Sequence, residues 1–301
     1  MSKFTEDTYK HWQRPASETE ESRISNAIKM VKDAISSSVE LKTKDIEIFV
    51  QGSYANNTNV RAESDVDVSV MLKDTFYSEK IKGLTREDYG FSEGTNTFSN
   101  FRKDIQKALV DKYENENIKP GNKAIKIIPN SYRVETDVVP SFQYRNYKYG
   151  NSKNADVFKE GIKFYSLKND PVINYPKIHV ENGIQKNNDT QRRYKRLIRV
   201  FKRIRYKMIE ENISVNSGIS SFLIECLIWN VPNSYFNNYD TVEERLRQTI
   251  IYLFNQTKTD KESENWREVS EMLLLFHSSK KWDIKMTNNF LKQVWNYLEF
   301  K

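Results

Sequence analysis

The chain has 301 residues, a formal net charge of +7 and one cysteine, Cys226. A single cysteine excludes an intramolecular disulfide, and three scattered histidines give no zinc-binding pattern. The sequence contains no stretch of transmembrane length and no apolar signal-peptide core near its start, so we expect a cytoplasmic protein with no membrane partner.

The first predicted elements are a helix and two strands. A capping box at residues 17–20 precedes apolar side chains that recur at helical spacing as far as about Val39. Two β-rich runs, residues 45–51 and 66–72, predict the strands. The charged, glycine-containing segment 77–96 predicts a surface excursion.

A short motif joins these two strands. Gln51 ends the first strand, Gly52 permits a tight turn, and the Ser53 hydroxyl beside backbone amides suits phosphate oxygens. Asp65 and Asp67 are two residues apart at the start of the second strand, so their side chains point to the same face. Two carboxylates held so close repel each other unless a cation lies between them, and hard oxygen ligands suit Mg²⁺.

A third carboxylate lies farther along the chain. After a helix predicted over residues 98–109, strands are predicted at residues 124–128 and 132–139. Glu135 and Asp137 alternate onto one face of the second of these strands. We select Asp137 because its more terminal position better reaches a sheet edge. Three carboxylates can hold two metal ions roughly 3.5–4 Å apart, which activate a hydroxyl and stabilise departing pyrophosphate.

The rest of the chain is predicted to be mostly helical. A strand is expected at residues 157–167 and a crossing between two lobes at residues 169–188. From Lys186 to Lys207 the chain carries ten lysine or arginine residues against one acid, Asp189, and apolar side chains recur there at helical spacing. Further helices are predicted over residues 220–230, 242–254, 264–277 and 288–300.

These elements predict an α+β protein of two domains. Residues 1–168 form a catalytic lobe, a mixed sheet with helices that includes the N-terminal helix. Residues 169–301 form a helical lobe, with the active-site cleft between the two.

The ordered set of Gly-Ser, Asp-x-Asp and a distant acid resembles the polymerase-β-like nucleotidyltransferase superfamily. More narrowly, the chain resembles the bacterial cGAS/DncV-like nucleotidyltransferases. That narrower resemblance rests on residues 136–140, on the Asn-rich and then basic helix beginning near Lys186, and on ISSFLIECLIWNVP at residues 219–232. The resemblance covers about residues 49–232.

The resemblance implies roles for individual residues. Asp65 and Asp67 would bind two Mg²⁺ ions, with Mn²⁺ as the alternative, and Asp137 would hold one ion and help deprotonate the attacking hydroxyl. Gln51, Gly52 and Ser53 would form the nucleotide-binding turn. The triphosphate would also contact two residues of the helical lobe, Lys202 and Ser221. The basic helix offers several other lysines, and Ser217 and Ser220 are alternatives to Ser221.

The function implied is the joining of NTPs into a cyclic di- or trinucleotide with release of pyrophosphate. In the bacterial family such a product activates a partner effector in antiphage defence, and we expect the enzyme to be a monomer. Two alternatives stay open: a template-independent transferase acting on RNA or another acceptor, and an oligonucleotide-binding protein with a disused site. The basic helix also leaves RNA or DNA as a secondary ligand.

Overall fold

The structure, a computed structural model, describes residues 2–15, 18–60, 65–149 and 153–301, so the predicted capping box lies outside the residues described in full. The chain divides into two compact units. The sheet unit comprises Ala16–Ala55 and Arg61–Lys177, and the helical unit comprises Met1–Pro15, Asn56–Val60 and Ile178–Lys301.

This division differs from the predicted boundary at residues 168/169 in two ways. The segment Pro171–Asn174 pairs as a strand with the preceding strand, so the sheet unit extends to Lys177. The N-terminal residues group with the helical unit rather than with the catalytic lobe, because Tyr9 and Trp12 are buried in the helical core.

The sheet unit is built from seven strands in the described part of the chain: β1 Ile46–Gln51, β2 Val66–Glu79, β3 Ile118–Pro120, β4 Ile125–Ile127, β5 Thr136–Asn146, β6 Lys159–Tyr165 and β7 Pro171–Asn174. Its helices are α2 Glu18–Ser37, α3 Gly52–Ala55 and α4 Phe98–Tyr113. β2 pairs antiparallel with β1 and parallel with β5. β5 pairs with β4 through its first residues and with β6 through its last, and β3 and β7 flank β4 and β6. The two longest strands, β2 and β5, are therefore neighbours.

Side-chain alternation along β2 separates a core face from an acidic face. Val66, Val68 and Val70 are completely buried in a core formed with α2 and α4. Because successive residues of a strand point to opposite faces, Asp67 lies on the face away from this core, as the sequence predicts. Val138 of β5 belongs to the same core, which places Asp137 on the acidic face as well.

The helical unit has a core of its own. Its helices are α1 Glu6–Trp12, α5 Pro176–Asp189, α6 Arg193–Glu210, α7 Ser221–Trp229, α8 Ser234–Asn237, α9 Val242–Gln256, α10 Asp260–Ser263 and α11 Ile284–Tyr297. Apolar side chains of α6, such as Leu197, Phe201 and Ile204, pack with residues of α1, α7, α9 and α11. No helix among the described residues is long and apolar enough to span a membrane.

Most predicted elements are confirmed, although β2 and β5 continue well beyond their predicted ends, to Glu79 and Asn146. The helices expected at residues 98–109, 220–230, 242–254 and 288–300 correspond to α4, α7, α9 and α11. The strands expected at residues 45–51, 66–72, 124–128, 132–139 and 157–167 correspond to β1, β2, β4, β5 and β6.

The crossing between lobes expected at residues 169–188 contains β7 and α5, and the boundary between the two units, after Lys177, falls within it. Two other predictions are wrong. The expected helix at residues 264–277 is instead folded back on itself, with Leu275 donating to the carbonyl of Trp266 at 2.7 Å. Its buried apolar side chains recur every three residues, at Trp266, Val269, Met272 and Leu275, which mimics helical spacing. The segment 77–96 begins as strand, because β2 continues to Glu79.

Candidate active site

The turn after β1 is shaped by Gly52. Its φ of +70° is a left-handed conformation that side chains disfavour. A Cβ atom at this position would also overlap the carboxylate of Asp67. Gln51, the residue before it, is the antiparallel register partner of Asp67, and Ser53 follows in the short helix α3. The predicted Gly-Ser turn therefore lies directly against the second acid of the Asp-x-Asp motif.

The acids of β2 and β5 are brought together by strand register. Asp67 and Asp137 are register partners on neighbouring parallel strands, both on the acidic face. Neighbouring strands lie about 4.8 Å apart, so the two carboxyl groups share one small region. Asp65 precedes β2, with its side chain 46% exposed. All three predicted acids lie at the start of these two strands.

The electrostatics of these acids reflect burial and mutual repulsion. Burial, together with the charges of Asp137 and Asp65, raises the pKa of Asp67 to about 7. Burial and a hydrogen bond with Glu135 raise the pKa of Asp65 to about 6. Burial also raises the pKa of Asp137, against the opposing charge of Lys126. The cluster therefore favours protons or a cation over three free negative charges.

Lys126 is a residue of this cluster that the sequence analysis missed. It lies on β4 as the register partner of Asp137. Its ammonium pairs with Glu135 and lies 3.8 Å from Oδ2 of Asp65. The hydrogen bond from Lys126 lowers the pKa of Glu135. The available signal was a lysine between two buried isoleucines, Ile125 and Ile127, on a strand next to the third acid.

The donor set fits a divalent cation. Oδ1 of Asp137 is buried and has no hydrogen-bond partner among the described residues, which is costly for a carboxylate unless a ligand satisfies it. Carboxylate oxygens are the ligands that Mg²⁺ prefers. As the side chains lie, no three His, Cys, Asp or Glu residues in the described part of the chain are arranged to hold a metal ion. Asp65 is engaged by Glu135 and Lys126, so its participation requires exchange of those contacts.

Lys202 of the helical unit is buried and ion-paired, unlike a lysine that is exposed and available to bind phosphate. Its side chain is 2% exposed, and its ammonium donates to the carbonyl of Thr58 at 3.1 Å and pairs with Glu225. Glu225 also contacts Nε2 of His179 at 3.2 Å. Burial acts to raise the pKa of Glu225, but the Lys202 charge and the His179 hydrogen bond hold it well below its ordinary value. A triphosphate contact would require Lys202 to exchange one of these partners.

Ser221 is the first residue of α7. The neighbouring serine, Ser220, caps this helix by accepting a hydrogen bond from the Leu223 amide at 3.1 Å. The hydroxyl of Ser221 instead lies 3.3 Å from that of Tyr206. Of the two adjacent serines, Ser220 therefore caps the helix, and Ser221 remains the candidate for contacting a ligand.

Comparison with known protein families gives two matches. A nucleotidyltransferase domain matches residues 28–141, and the cGAS/DncV-like nucleotidyltransferase C-terminal helical domain matches residues 181–299. The cyclic dipyrimidine nucleotide synthase CdnE of Cecembia lonarensis is 47% identical over 300 residues, which cover all of both chains.

Solved structures agree with these matches. The CdnE cyclic dinucleotide synthase of Elizabethkingia meningoseptica, solved with GTP and Apcpp, has a TM-score of 0.82 and 32% identity, covering 99% of this chain and 100% of that one. The CdnE c-UMP-AMP synthase of Rhodothermus marinus, solved with Apcpp and Upnpp, has a TM-score of 0.83 and 29% identity, covering 97% of each chain. The predicted resemblance and the α+β fold are confirmed. The chain belongs to the cGAS/DncV-like nucleotidyltransferase family and is a nucleotidyltransferase.

Proposed function

We propose that this enzyme joins two nucleoside triphosphates into a cyclic dinucleotide by two successive nucleotidyl transfers. In each transfer a ribose hydroxyl oxygen forms a bond to an α-phosphorus. The bond from that phosphorus to the bridging oxygen of the β-phosphate breaks, and pyrophosphate leaves with the electron pair. The second transfer is intramolecular and closes the ring.

The observation that carries this proposal is the register of Asp67 with Asp137 against the Gly52 turn. It supports a carboxylate site placed beside a phosphate-binding turn. We propose that Asp65, Asp67 and Asp137 hold two Mg²⁺ ions. When bound, such ions lower the pKa of the attacking hydroxyl and stabilise charge on the leaving pyrophosphate.

The protein's own groups have separate tasks in this proposal. Oδ1 of Asp137, which has no hydrogen-bond partner within the described chain, accepts the proton of the attacking ribose hydroxyl. Ser53 and the backbone at Gly52 orient the triphosphate of the nucleotide under attack. Lys202 and Ser221 add a cation and a hydroxyl to that triphosphate.

Similar proteins support a dinucleotide product and suggest its bases. The Cecembia lonarensis relative is a cyclic dipyrimidine nucleotide synthase, and so is a Legionella pneumophila relative that is 36% identical. We propose a cyclic dipyrimidine nucleotide as the main product. By family membership, we further propose that a monomeric enzyme in the cytoplasm makes it to activate an effector in antiphage defence.

The test is incubation of the purified protein with all four NTPs and Mg²⁺, followed by phosphatase treatment and mass spectrometry. A phosphatase-resistant species with the mass of a cyclic dipyrimidine, absent with Asp67→Asn, is expected. Linear products would instead indicate an oligonucleotide synthetase, and products seen only with added RNA would indicate a tailing enzyme.

A further inference from the structure

The helical unit contains a cavity of about 480 Å³ that is lined by positive charge. It lies among α1, the end of α5, the first half of α6 and residue Asn57. Six cations line it, and among the residues that the structure describes no acidic side chain does: Lys10, Arg14, Arg192, Lys195, Arg196 and Arg199. Neither Lys202 nor Ser221 contributes to the lining, so this basic cavity is separate from the side chains proposed above for the triphosphate.

Lys195 is the residue that most clearly implies a ligand. Its side chain is 8% exposed, yet its ammonium has no hydrogen-bond or ion-pair partner in the described part of the chain. The ammonium itself is accessible from the cavity, and a cation on a side chain this enclosed is normally neutralised by an anion. Burial and the nearby charge of Arg199 act to lower the pKa of Lys195, against the charge of Glu225. An anion in the cavity would offset both effects.

Arg199 is fixed in place and contributes charge as well. Its guanidinium donates to the carbonyl oxygens of Gln13, at 2.6 Å, and of Asn57. Burial, with the charges of Arg196 and Arg203, lowers the pKa of Arg199 to about 10. Like charges held this close repel each other, and a multiply charged anion relieves that repulsion.

The lining also indicates the chemistry of the anion. In the described part of the lining no aromatic side chain is present to stack on a nucleobase, whereas Gln13, Asn57 and Asn187 offer amides among the cations. The cavity therefore suits a compact ligand that consists mainly of negatively charged oxygens.

We propose that this basic cavity binds an inorganic oligophosphate chain, such as triphosphate, through Lys195 and the surrounding arginines. The recognised group is the phosphate chain itself rather than a nucleobase or a nucleic-acid duplex.

The test is calorimetric titration of the full-length protein with inorganic triphosphate at low ionic strength in EDTA, so that neither NTP nor divalent cation enters the measurement. Lys195→Met and Arg192→Ala should each weaken binding about tenfold or more, as loss of one charge-assisted contact does. The control Lys292→Met, which removes an exposed lysine of α11 outside the cavity, should keep wild-type affinity. Ser221→Ala tests whether the triphosphate binds at the proposed NTP site instead.

Each variant is compared with the wild type by thermal unfolding without ligand, which identifies loss of folding. Equal binding by Lys195→Met and Lys292→Met would overturn the proposal, as would a loss of binding only in Ser221→Ala. Tight binding of a short RNA duplex with no binding of triphosphate would also overturn it, by identifying a nucleic-acid surface instead.

Discussion

Breaking the buried ion pair of Lys202 and Glu225 should lower the free energy of unfolding by an amount that can be measured. The two side chains are 2% and 6% exposed, and the Thr58 hydroxyl donates to the same Glu225 carboxylate at 2.5 Å. Lys202→Met removes the cation and leaves the buried carboxylate with two hydrogen-bond partners and no neutralising lysine. Breaking a buried ion pair from one side costs about 3–5 kcal/mol. At roughly 2–4 °C per kcal/mol for a large domain, the melting temperature should fall by roughly 6–20 °C.

The matched variants form a thermodynamic cycle. Glu225→Gln keeps an oxygen for Thr58 and His179 but leaves the Lys202 ammonium unpaired, so a similar loss of stability is expected. The double variant removes both charges, and its loss should be smaller than the sum of the single losses by about 2 kcal/mol or more. Urea unfolding at pH 7, followed by circular dichroism, measures all four proteins.

Additive losses in this cycle, or single variants within about 1 kcal/mol of wild type, would refute the reasoning. Turnover of the double variant then addresses the proposed triphosphate contact. A folded double variant with a raised KM for NTP is the expected result. Wild-type kinetics in that variant would restrict Lys202 to a structural role.

Three further predictions concern the carboxylate site. Because the pKa of Asp67 is raised to about 7 from 3.8, its ionisation makes the metal-free protein less stable as the pH rises through that interval. In EDTA, the free energy of unfolding of Asp67→Asn relative to that of wild type should therefore be about 2 kcal/mol higher at pH 8 than at pH 5. The same relative value at both pH values would contradict this. Gly52→Ala should lose turnover and about 1–2 kcal/mol of stability, because residue 52 has a positive φ and the new Cβ would overlap the Asp67 carboxylate. Wild-type kinetics would argue against that contact. Lys126→Met removes a cation 3.8 Å from Asp65, so the Mg²⁺ concentration for half-maximal turnover should fall several-fold, and an unchanged or higher value would be inconsistent.

The sequence predicts the acidic site because strand alternation is a local rule. Residues two apart share a face, so the spacing of Asp65 and Asp67 and the run of buried valines follow from the chain alone. Strand pairing is not local, and the register of Asp67 with Asp137 became known only from the structure. The position of Lys126 depends on the same pairing, which is why the sequence did not predict it.

The helical unit shows a different limit. A period of three in residues 264–277 suits a helix, but hydrogen bonds across the segment stabilise a folded-back loop. The basic segment is predicted as a helix beginning near Lys186, yet the chain breaks at Gln191 and Arg192, both with positive φ, before α6 begins. Burial then distinguishes its cations: Lys202 is enclosed with Glu225, while Lys195 lines the basic cavity. The number of charged residues in the sequence does not predict which lysine is paired and which lines a cavity.

The choice of Asp137 as the third acid is the central claim about the site, and the rate of pyrophosphate release tests it most directly. Asp137→Asn should reduce the rate with NTPs and Mg²⁺ by about 10²–10³-fold or more. Glu135→Gln should lose less than about tenfold, since Glu135 interacts with Lys126 and Asp65 rather than completing the acid pair. Asp111→Asn, an exposed acid of α4, should match wild type. Retained turnover in Asp137→Asn, or an equal loss in Glu135→Gln, would contradict the account.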